Sequence, residues 1–120
     1  MIRTLLFIIC LAGLLYGMFR ELPPPQLFQE SDKVGHILAF AALTLSGLLC
    51  FTRKLSVPFI VVMLSFAAVS EYLQVSFRPQ RYFSELDMYA NLAGVALVSI
   101  IWLIAETCRK GHIDQPIDQD

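Results

Sequence analysis

The chain has 120 residues, of which 57 % are hydrophobic and 16 % are charged, and its formal net charge is −1. This length allows one domain at most, and a mean hydropathy of +0.64 is too high for an ordinary soluble domain. The small net charge and the lack of a basic cluster interleaved with aromatic residues argue against nucleic acid as a partner.

Four apolar runs predict four membrane-spanning helices. Each run is close to the roughly 20 residues that cross a hydrocarbon core of about 30 Å. Four buried helices of a soluble protein would rarely be apolar on every face. The runs are Thr4 to Phe19, Val34 to Phe51, Leu55 to Phe77 and Leu86 to Ala105. We therefore predict an all-α, four-helix transmembrane bundle over residues 1–108 and a polar, disordered tail over 109–120.

The first run also has one feature of a signal peptide, because Arg3 precedes the apolar stretch "TLLFIICLAGLLYG". No small-x-small cleavage site followed by a polar stretch is found there, so we expect this helix to be retained. The three prolines of "RELPPPQLFQESDK" end the first helix. Pro58 falls in the first turn of the third helix, where its missing N–H does no harm.

Lysine and arginine residues in the short loops predict the orientation of the bundle. One side carries Arg3, Arg53, Lys54, Arg109 and Lys110. The other side carries Arg20, Lys33, Arg78 and Arg81. Because every acidic loop residue before the tail also lies on the second side, we expect both termini to be in the cytoplasm.

The three cysteines, Cys10, Cys50 and Cys108, lie in or beside apolar runs, and none forms a C-x-x-C motif. An odd number without motif spacing does not predict a disulfide framework. Free cysteine is commonly a small buried hydrophobic residue, and we expect that role here. No metal site and no cofactor is predicted from them.

Polar residues are found at the same end of three predicted helices. Their spacings of three or four residues put the polar residues of each helix on one face. The second helix carries Asp32 and His36, the third Glu71, Gln74 and Arg78, and the fourth Asp87, Asn91 and Gly94. At about 1.5 Å per residue, His36, Glu71 and Asn91 are expected on the order of 5 to 10 Å inside the membrane boundary.

These polar residues predict a pocket between the helices. An acidic side chain in lipid costs a few kcal/mol, so such groups face inward and pair. The simplest arrangement has Glu71 and Asp87 facing a shared pocket, with Arg81 of the loop bridging them. The other members of this pocket are His36, Gln74 and Asn91. Gly94 would allow close helix approach at the floor of the pocket.

Most of these residues also have a purely structural interpretation. Ser84 and Asp87 match the start of a capping box, and Ser31 with Asp32 fits the same role for the second helix. His36, Gln74 and Asn91, taken singly, fit packing or hydrogen bonding between helices. Glu71 differs, because the helix dipole disfavours an anion near the C terminus of its helix and no capping role is open to it.

The polar set resembles the VanZ-like family of small membrane proteins. "SDKVGHILAFAAL" contains Asp-Lys-x-x-His at a helix start, and "EYLQVSFRPQRYFSELDMYANLAG" contains Glu-x-x-Gln, a loop Arg and Asp-x-x-x-Asn-x-x-Gly. The matching positions are Asp32, Lys33, His36, Glu71, Gln74, Arg81, Asp87, Asn91 and Gly94. The resemblance implies a multi-spanning protein of the cell envelope, and we expect the chain in the bacterial inner membrane. The founding member is associated with lowered susceptibility to the glycopeptide teicoplanin.

Two functions remain open from the sequence. In the first, the pocket binds or modifies a membrane lipid or a lipid-linked envelope component. Arg78 and Arg81 would hold phosphate, and Glu71 or Asp87 with His36 would act as base and acid. A divalent metal at the latter three residues is a variant without metal-specific spacing. In the second function, the polar set only locks the bundle, and the protein acts through partners in the membrane.

A transporter or channel is disfavoured. Four short spans leave little interior for a path across the bilayer. The inner halves of the helices, such as "LLYG" and "LVSIIWLIA", offer no polar relay. We therefore expect a polar pocket that opens on the outer side of the membrane only.

Overall fold

The structure is a computed structural model that describes residues 1–21, 25, 27–78 and 80–113, with side chains described up to residue 110. Its helices are α1 (Ile2–Phe19), α2 (Ser31–Cys50), α3 (Ser56–Phe77) and α4 (Glu85–Ile113), with a 3₁₀ turn at Arg53–Leu55. All four α-helices are long and apolar enough to cross a membrane. The described ranges contain no strand, so the predicted all-α, four-helix transmembrane fold is confirmed.

The helix boundaries differ from the predicted spans at two places. α2 begins at Ser31, directly after Glu30, whose left-handed backbone (φ 68°) ends the preceding connection. α4 continues to Ile113, well past the predicted end at Ala105. Its added turns carry Glu106, which pairs with Arg109 on the same helix and approaches Arg53 Nε to 3.4 Å. The helix thus enters the segment predicted as a tail, and residues 114–120 lie outside the described residues.

α2 and α4 form the largest interface, and α4 also packs along α3, whereas α1 packs mainly on α2. The core between the helices is apolar and contains Leu14, Met18, Phe40, Leu43, Met63, Ala67 and Val95. The outward faces also carry apolar side chains, for example Ile8, Val62 and Ile101. Helices that are apolar on their exposed and buried faces alike suit a lipid surrounding.

Contacts between helix ends define the two ends of the bundle. Phe19 at the end of α1 packs edge-to-face on Phe77 at the end of α3, with ring centroids 5.4 Å apart. At the opposite end, Arg53 before α3 meets Glu106 late in α4. The C-terminal ends of α1 and α3 and the N-terminal ends of α2 and α4 therefore lie together. We call this end, which contains Arg20, Ser31, Arg78, Arg81 and Glu85, the polar end.

Gly94 brings α4 against the backbone of α2. A Cβ atom built on Gly94 would collide with the carbonyl oxygen of Ile37 and lie 3.1 Å from the amide nitrogen of Ala41. Backbone atoms cannot rotate out of the way as the end of a flexible side chain can. The close helix approach predicted for Gly94 is therefore present, at the interface that joins α2 to α4.

Gly94→Ala should lower the stability of the bundle, because the added methyl would push α4 away from α2. Overpacking of this kind costs about 1–3 kcal/mol, partly offset by the better helix propensity of alanine. Thermal unfolding of the purified protein in detergent measures the effect. Gly13→Ala is the matched control, since a Cβ atom there meets nothing within 4 Å. An unchanged melting temperature for Gly94→Ala would contradict the tight interface.

Candidate functional site

Five polar residues are buried at the polar end, where α2, α3 and α4 pack together. They are Ser70 (2 % exposed), Glu71 (0 %), Gln74 (3 %), Asp87 (5 %) and Asn91 (1 %). Four of the five are predicted site residues, and Ser70 is an addition. Because buried polar groups are costly without partners, their hydrogen bonds indicate how the site is built.

A chain of hydrogen bonds joins His36, Asn91 and Ser70, one residue from each of the three helices. His36 Nδ1 lies 2.9 Å from Asn91 Oδ1, and Asn91 Nδ2 donates to Ser70 Oγ at 2.9 Å. Ser70 Oγ in turn donates to the carbonyl oxygen of Ala67 at 2.8 Å. An amide oxygen only accepts, so His36 donates from Nδ1.

Arg81 connects the α3–α4 loop to this chain. One of its terminal nitrogens lies 3.2 Å from Asp87 Oδ2 and 3.5 Å from His36 Nε2. His36 Nε2 and Asp87 Oδ2 are 3.8 Å apart, so the guanidinium and not the imidazole is the nearer partner of the carboxylate. Arg81 forms no ion pair with Glu71 among the described residues, so it does not bridge the two acids as the sequence suggested.

Glu71 caps the neighbouring helix. Its Oε1 accepts a hydrogen bond from the backbone N–H of Ser84 at 3.2 Å, and Ser84 Oγ accepts from the N–H of Asp87 at 3.2 Å. Ser84 is thus the N-cap of α4, as its spacing to Asp87 predicted. In a capping box the third helical residue would take the N-cap N–H, but here Glu71 of α3 takes it. The expectation that no capping role is open to Glu71 is therefore wrong.

The cap also explains how an acid is tolerated at this depth. The N terminus of α4 presents unpaired N–H groups and a partial positive charge to the Glu71 carboxylate. Its own helix disfavours an anion at that position, and the next helix compensates. The side chain of Asp87 is then released from the cap and turns to Arg81. One oxygen of each acid, Glu71 Oε2 and Asp87 Oδ1, is buried without a partner among the described residues.

A cavity of about 340 Å³ lies beside this network, between α1, α2 and the end of α3. Its polar lining comes from Arg20, Ser31, Asp32, His36, Gln74 and Arg81. Neither Glu71 nor Asp87 lines this cavity. His36 and Arg81 belong to both the network and the cavity wall.

The remaining predicted residues have separate places. Gln74 lies in the cavity wall, and its Nε2 donates to the carbonyl oxygen of Met18 at a long 3.5 Å. Lys33 pairs with Glu30 and lies 3.9 Å from Asp32. Arg78 donates to the backbone carbonyl of Glu21. Neither Lys33 nor Arg78 is part of the cavity lining.

α1 contributes to the site in a way that the sequence did not indicate. Gly13, Gly17 and Arg20 line the cavity together with Leu14 and Met18. The "LLYG" segment therefore lies at the polar end, and its placement in an inner half is wrong. Apart from Arg20 at the helix end, this wall carries no polar residue, and the signal in the sequence is the small-residue pair Gly13 and Gly17, spaced by four.

No cluster of three or more His, Cys, Asp or Glu side chains that could hold a metal ion is found in the described part of the chain. The three cysteines are free thiols. Cys10 and Cys50 are half-buried, but Cys108 is exposed, because α4 extends there beyond the other helices. The prediction that all three are buried is therefore wrong for Cys108, and Cys10 and Cys50 are buried only in part.

Comparisons with protein families, with curated proteins and with solved structures find no match for this chain. The likeness to VanZ-like proteins stays a prediction from the sequence. Function must be inferred from the contacts of the polar end and from the shape of the cavity beside it.

Replacing Glu71 separates its role as an acceptor from its charge. Glu71→Gln keeps an oxygen that can accept from Ser84 N–H, whereas Glu71→Leu removes the acceptor. We expect Glu71→Leu to cost about 0.5–2 kcal/mol, the usual loss for a helix cap, and Glu71→Gln to cost clearly less. Thermal unfolding in detergent measures both. Glu85 is exposed in the first turn of α4, so Glu85→Gln controls for the loss of a negative charge near the N terminus of that helix.

Equal losses for the two Glu71 variants, with an unchanged Glu85→Gln protein, would mean that the charge of Glu71 and not its hydrogen bond to Ser84 stabilises the bundle.

Proposed function

We propose that this integral membrane protein belongs to the bacterial plasma membrane and binds the phosphate-bearing headgroup of a membrane lipid or lipid-linked glycan. The observation that carries this function is the cavity of about 340 Å³ whose wall contains Arg81 and His36, both held in place by the buried network. Cavities of roughly 300 Å³ and more are typical of small-molecule sites.

The cations of the cavity suit a phosphate group. A guanidinium has five N–H donors in a fixed fork, which matches the oxygens of a phosphate. Asp87 orients Arg81 through one terminal nitrogen, so further donors of the same group remain for a ligand. Arg20 lines the same cavity and adds a second cation, while Asp32 adds an acceptor for hydroxyl or ammonium groups of a headgroup.

Binding is favoured over acid–base catalysis by Glu71 or Asp87. Acid–base catalysis by Glu71 or Asp87 would require a carboxylate within hydrogen-bond reach of the substrate. Both acids lie behind the cavity wall, Glu71 on the N terminus of α4 and Asp87 on Arg81. A bound headgroup would meet Asp32, His36, Gln74 and the two arginines instead.

The cavity is proposed to open at the outer face of the membrane, with both termini in the cytoplasm. The arrangement follows the distribution of lysine and arginine, of which Arg3, Arg53, Lys54, Arg109 and Lys110 lie at the end opposite to the cavity. The VanZ-like resemblance supports a place in the cell envelope. An effect on teicoplanin susceptibility is the corresponding cellular readout.

Arg81 variants test headgroup binding. Lipid-resolved mass spectrometry of the purified protein should find a retained phosphate-bearing lipid, and Arg81→Ala should reduce it by about tenfold or more, since hydrogen bonds to charged groups contribute about 1.5–3 kcal/mol. Arg78→Ala is the matched control, because Arg78 is at the same end but binds the Glu21 carbonyl outside the cavity. A folded Arg81→Ala protein that retains lipid like the wild type would falsify headgroup binding.

A second variant protects this test from a folding defect. Arg81→Ala leaves the buried Asp87 carboxylate without its cation, which is itself destabilising. Combining Arg81→Gln with Asp87→Asn removes both charges together. We expect this double variant to keep its melting temperature better than Arg81→Ala and to lose the lipid equally.

A structural role of the polar set is the second candidate, and the His36–Asn91–Ser70 chain favours it, since it joins three helices with good geometry. Hydrogen bonds between membrane helices contribute about 0.6 kcal/mol on average and about 1.7 at most. A double-mutant cycle with His36→Ala and Asn91→Ala should give a coupling energy of this size. Loss of lipid in strict proportion to loss of stability across all variants would favour the structural role alone.

A further inference from the structure

We propose that one hydrocarbon chain of the bound lipid lies between α1 and α2, in a groove formed by Gly13, Gly17 and Gly35, which we call the glycine groove. This inference rests on the proposed function and adds the ligand class: a lipid whose phosphate meets Arg81 and whose acyl chain enters the protein. All three glycines line the cavity that contains Arg81.

The glycines of the groove do not serve the packing of the chain itself. A Cβ atom on Gly13, Gly17 or Gly35 would meet no atom within 4 Å. Gly94 behaves in the opposite way, because its Cβ atom would collide with the α2 backbone. Glycine weakens a helix relative to alanine, so three glycines without close neighbours need another reason. Their missing side chains keep the space of the cavity open.

The cavity changes from polar to apolar with depth, as an amphipathic ligand requires. Arg20, Ser31 and Asp32 stand at the polar end, and Gly13 and Phe40 mark the deepest lining on α1 and α2. At about 1.5 Å per residue, the wall extends roughly 10 Å along α1 and roughly 13 Å along α2. A headgroup at the helix ends would therefore have its chain directed along α1 and α2, over the exposed glycines of the groove.

Gln74 stands where the head of such a lipid joins its chain. Gln74 is only 3 % exposed, yet it lies in the cavity wall. Its Nε2 donates a long hydrogen bond of 3.5 Å to the carbonyl oxygen of Met18, which is at the weak limit for an N–H donor. An ester carbonyl between phosphate and acyl chain is the acceptor that this amide would take.

Charge favours an acyl chain over a helix of a second copy. Gly13 and Gly17 also form a small-xxx-small pair, which in membranes commonly marks helix association. The cavity that these glycines line already contains Arg20 and Arg81, and α1 of a second copy in the same orientation would add its own Arg20 at this end. A phosphate-bearing lipid brings the complementary charge instead, and its chain continues along the glycines.

Filling the groove tests the inference. Gly17→Leu and Gly35→Leu, singly and combined, place side chains where the acyl chain would lie. Ala12→Leu is the matched control, because Ala12 is exposed on α1 and does not line the cavity. The retained lipid is measured by lipid-resolved mass spectrometry of the purified protein. Binding of glycerol 3-phosphate, a headgroup without a chain, is measured by phosphorus NMR.

We expect the double leucine variant to lose retained phospholipid by about tenfold or more, because an attached chain would then keep the phosphate from Arg81. Glycerol 3-phosphate binding should persist in this variant and should fall in Arg81→Ala. Ala12→Leu should match the wild type in both measurements.

Three results would overturn the inference, each in a distinguishable way. Undiminished phospholipid in a folded double leucine variant would leave headgroup binding intact and remove the chain from the groove. A wild-type protein that binds neither phospholipid nor glycerol 3-phosphate would remove the proposed function as well. A crosslinked dimer of the wild type that Gly17→Leu abolishes, without retained lipid, would make a second copy the occupant of the groove.

Discussion

The hydrogen bond from Ser84 N–H to the Glu71 carboxylate is the contact on which the polar end depends. It joins the last turns of α3 to the first turn of α4 and so fixes both ends of the short loop that carries Arg81. A carboxylate in this position is disfavoured by its own helix and favoured by the next one. Without it, the loop would lose this buried contact with α3, and Arg81 would be positioned by Asp87 and His36 alone.

Two groups of polar residues can be distinguished at the polar end: those that hold other side chains in position and those that face the cavity. Because Glu71 occupies the N-cap N–H, Asp87 is free to hold Arg81, and Asn91 is free to orient His36. Glu71 of α3 and Asp87 and Asn91 of α4 thus serve to hold other groups in position. The side chains that a ligand would meet, His36 and Arg81, are the ones that this group holds. Charged groups are costly inside a membrane, and here their pairing keeps Arg81 in the cavity wall, where a ligand can reach it.

The sequence predicted the spans and the polar end, because 20-residue apolar runs and three- or four-residue spacings are local patterns. It did not predict that Glu71 caps α4, since that contact depends on where the end of α3 meets Ser84 in space. It also missed the wall formed by α1, because Gly13 and Gly17 carry no polar group that a pattern could detect. Ser70 was overlooked beside the more conspicuous Glu71, although its hydroxyl links Asn91 to α3.

The membrane itself determines how head and chain would share the recognition of a lipid. A hydrocarbon chain gains little by leaving other chains for an apolar protein wall, because both surroundings are equally apolar. Selectivity must therefore come from the fixed charges at Arg81 and Arg20, and the glycine groove would act by shape, admitting one chain along a set direction. This division of roles is why the groove and the cations respond to different probes. It also explains why the groove contains glycine: its wall adds little binding energy for a hydrocarbon chain, so it needs only to provide space for one.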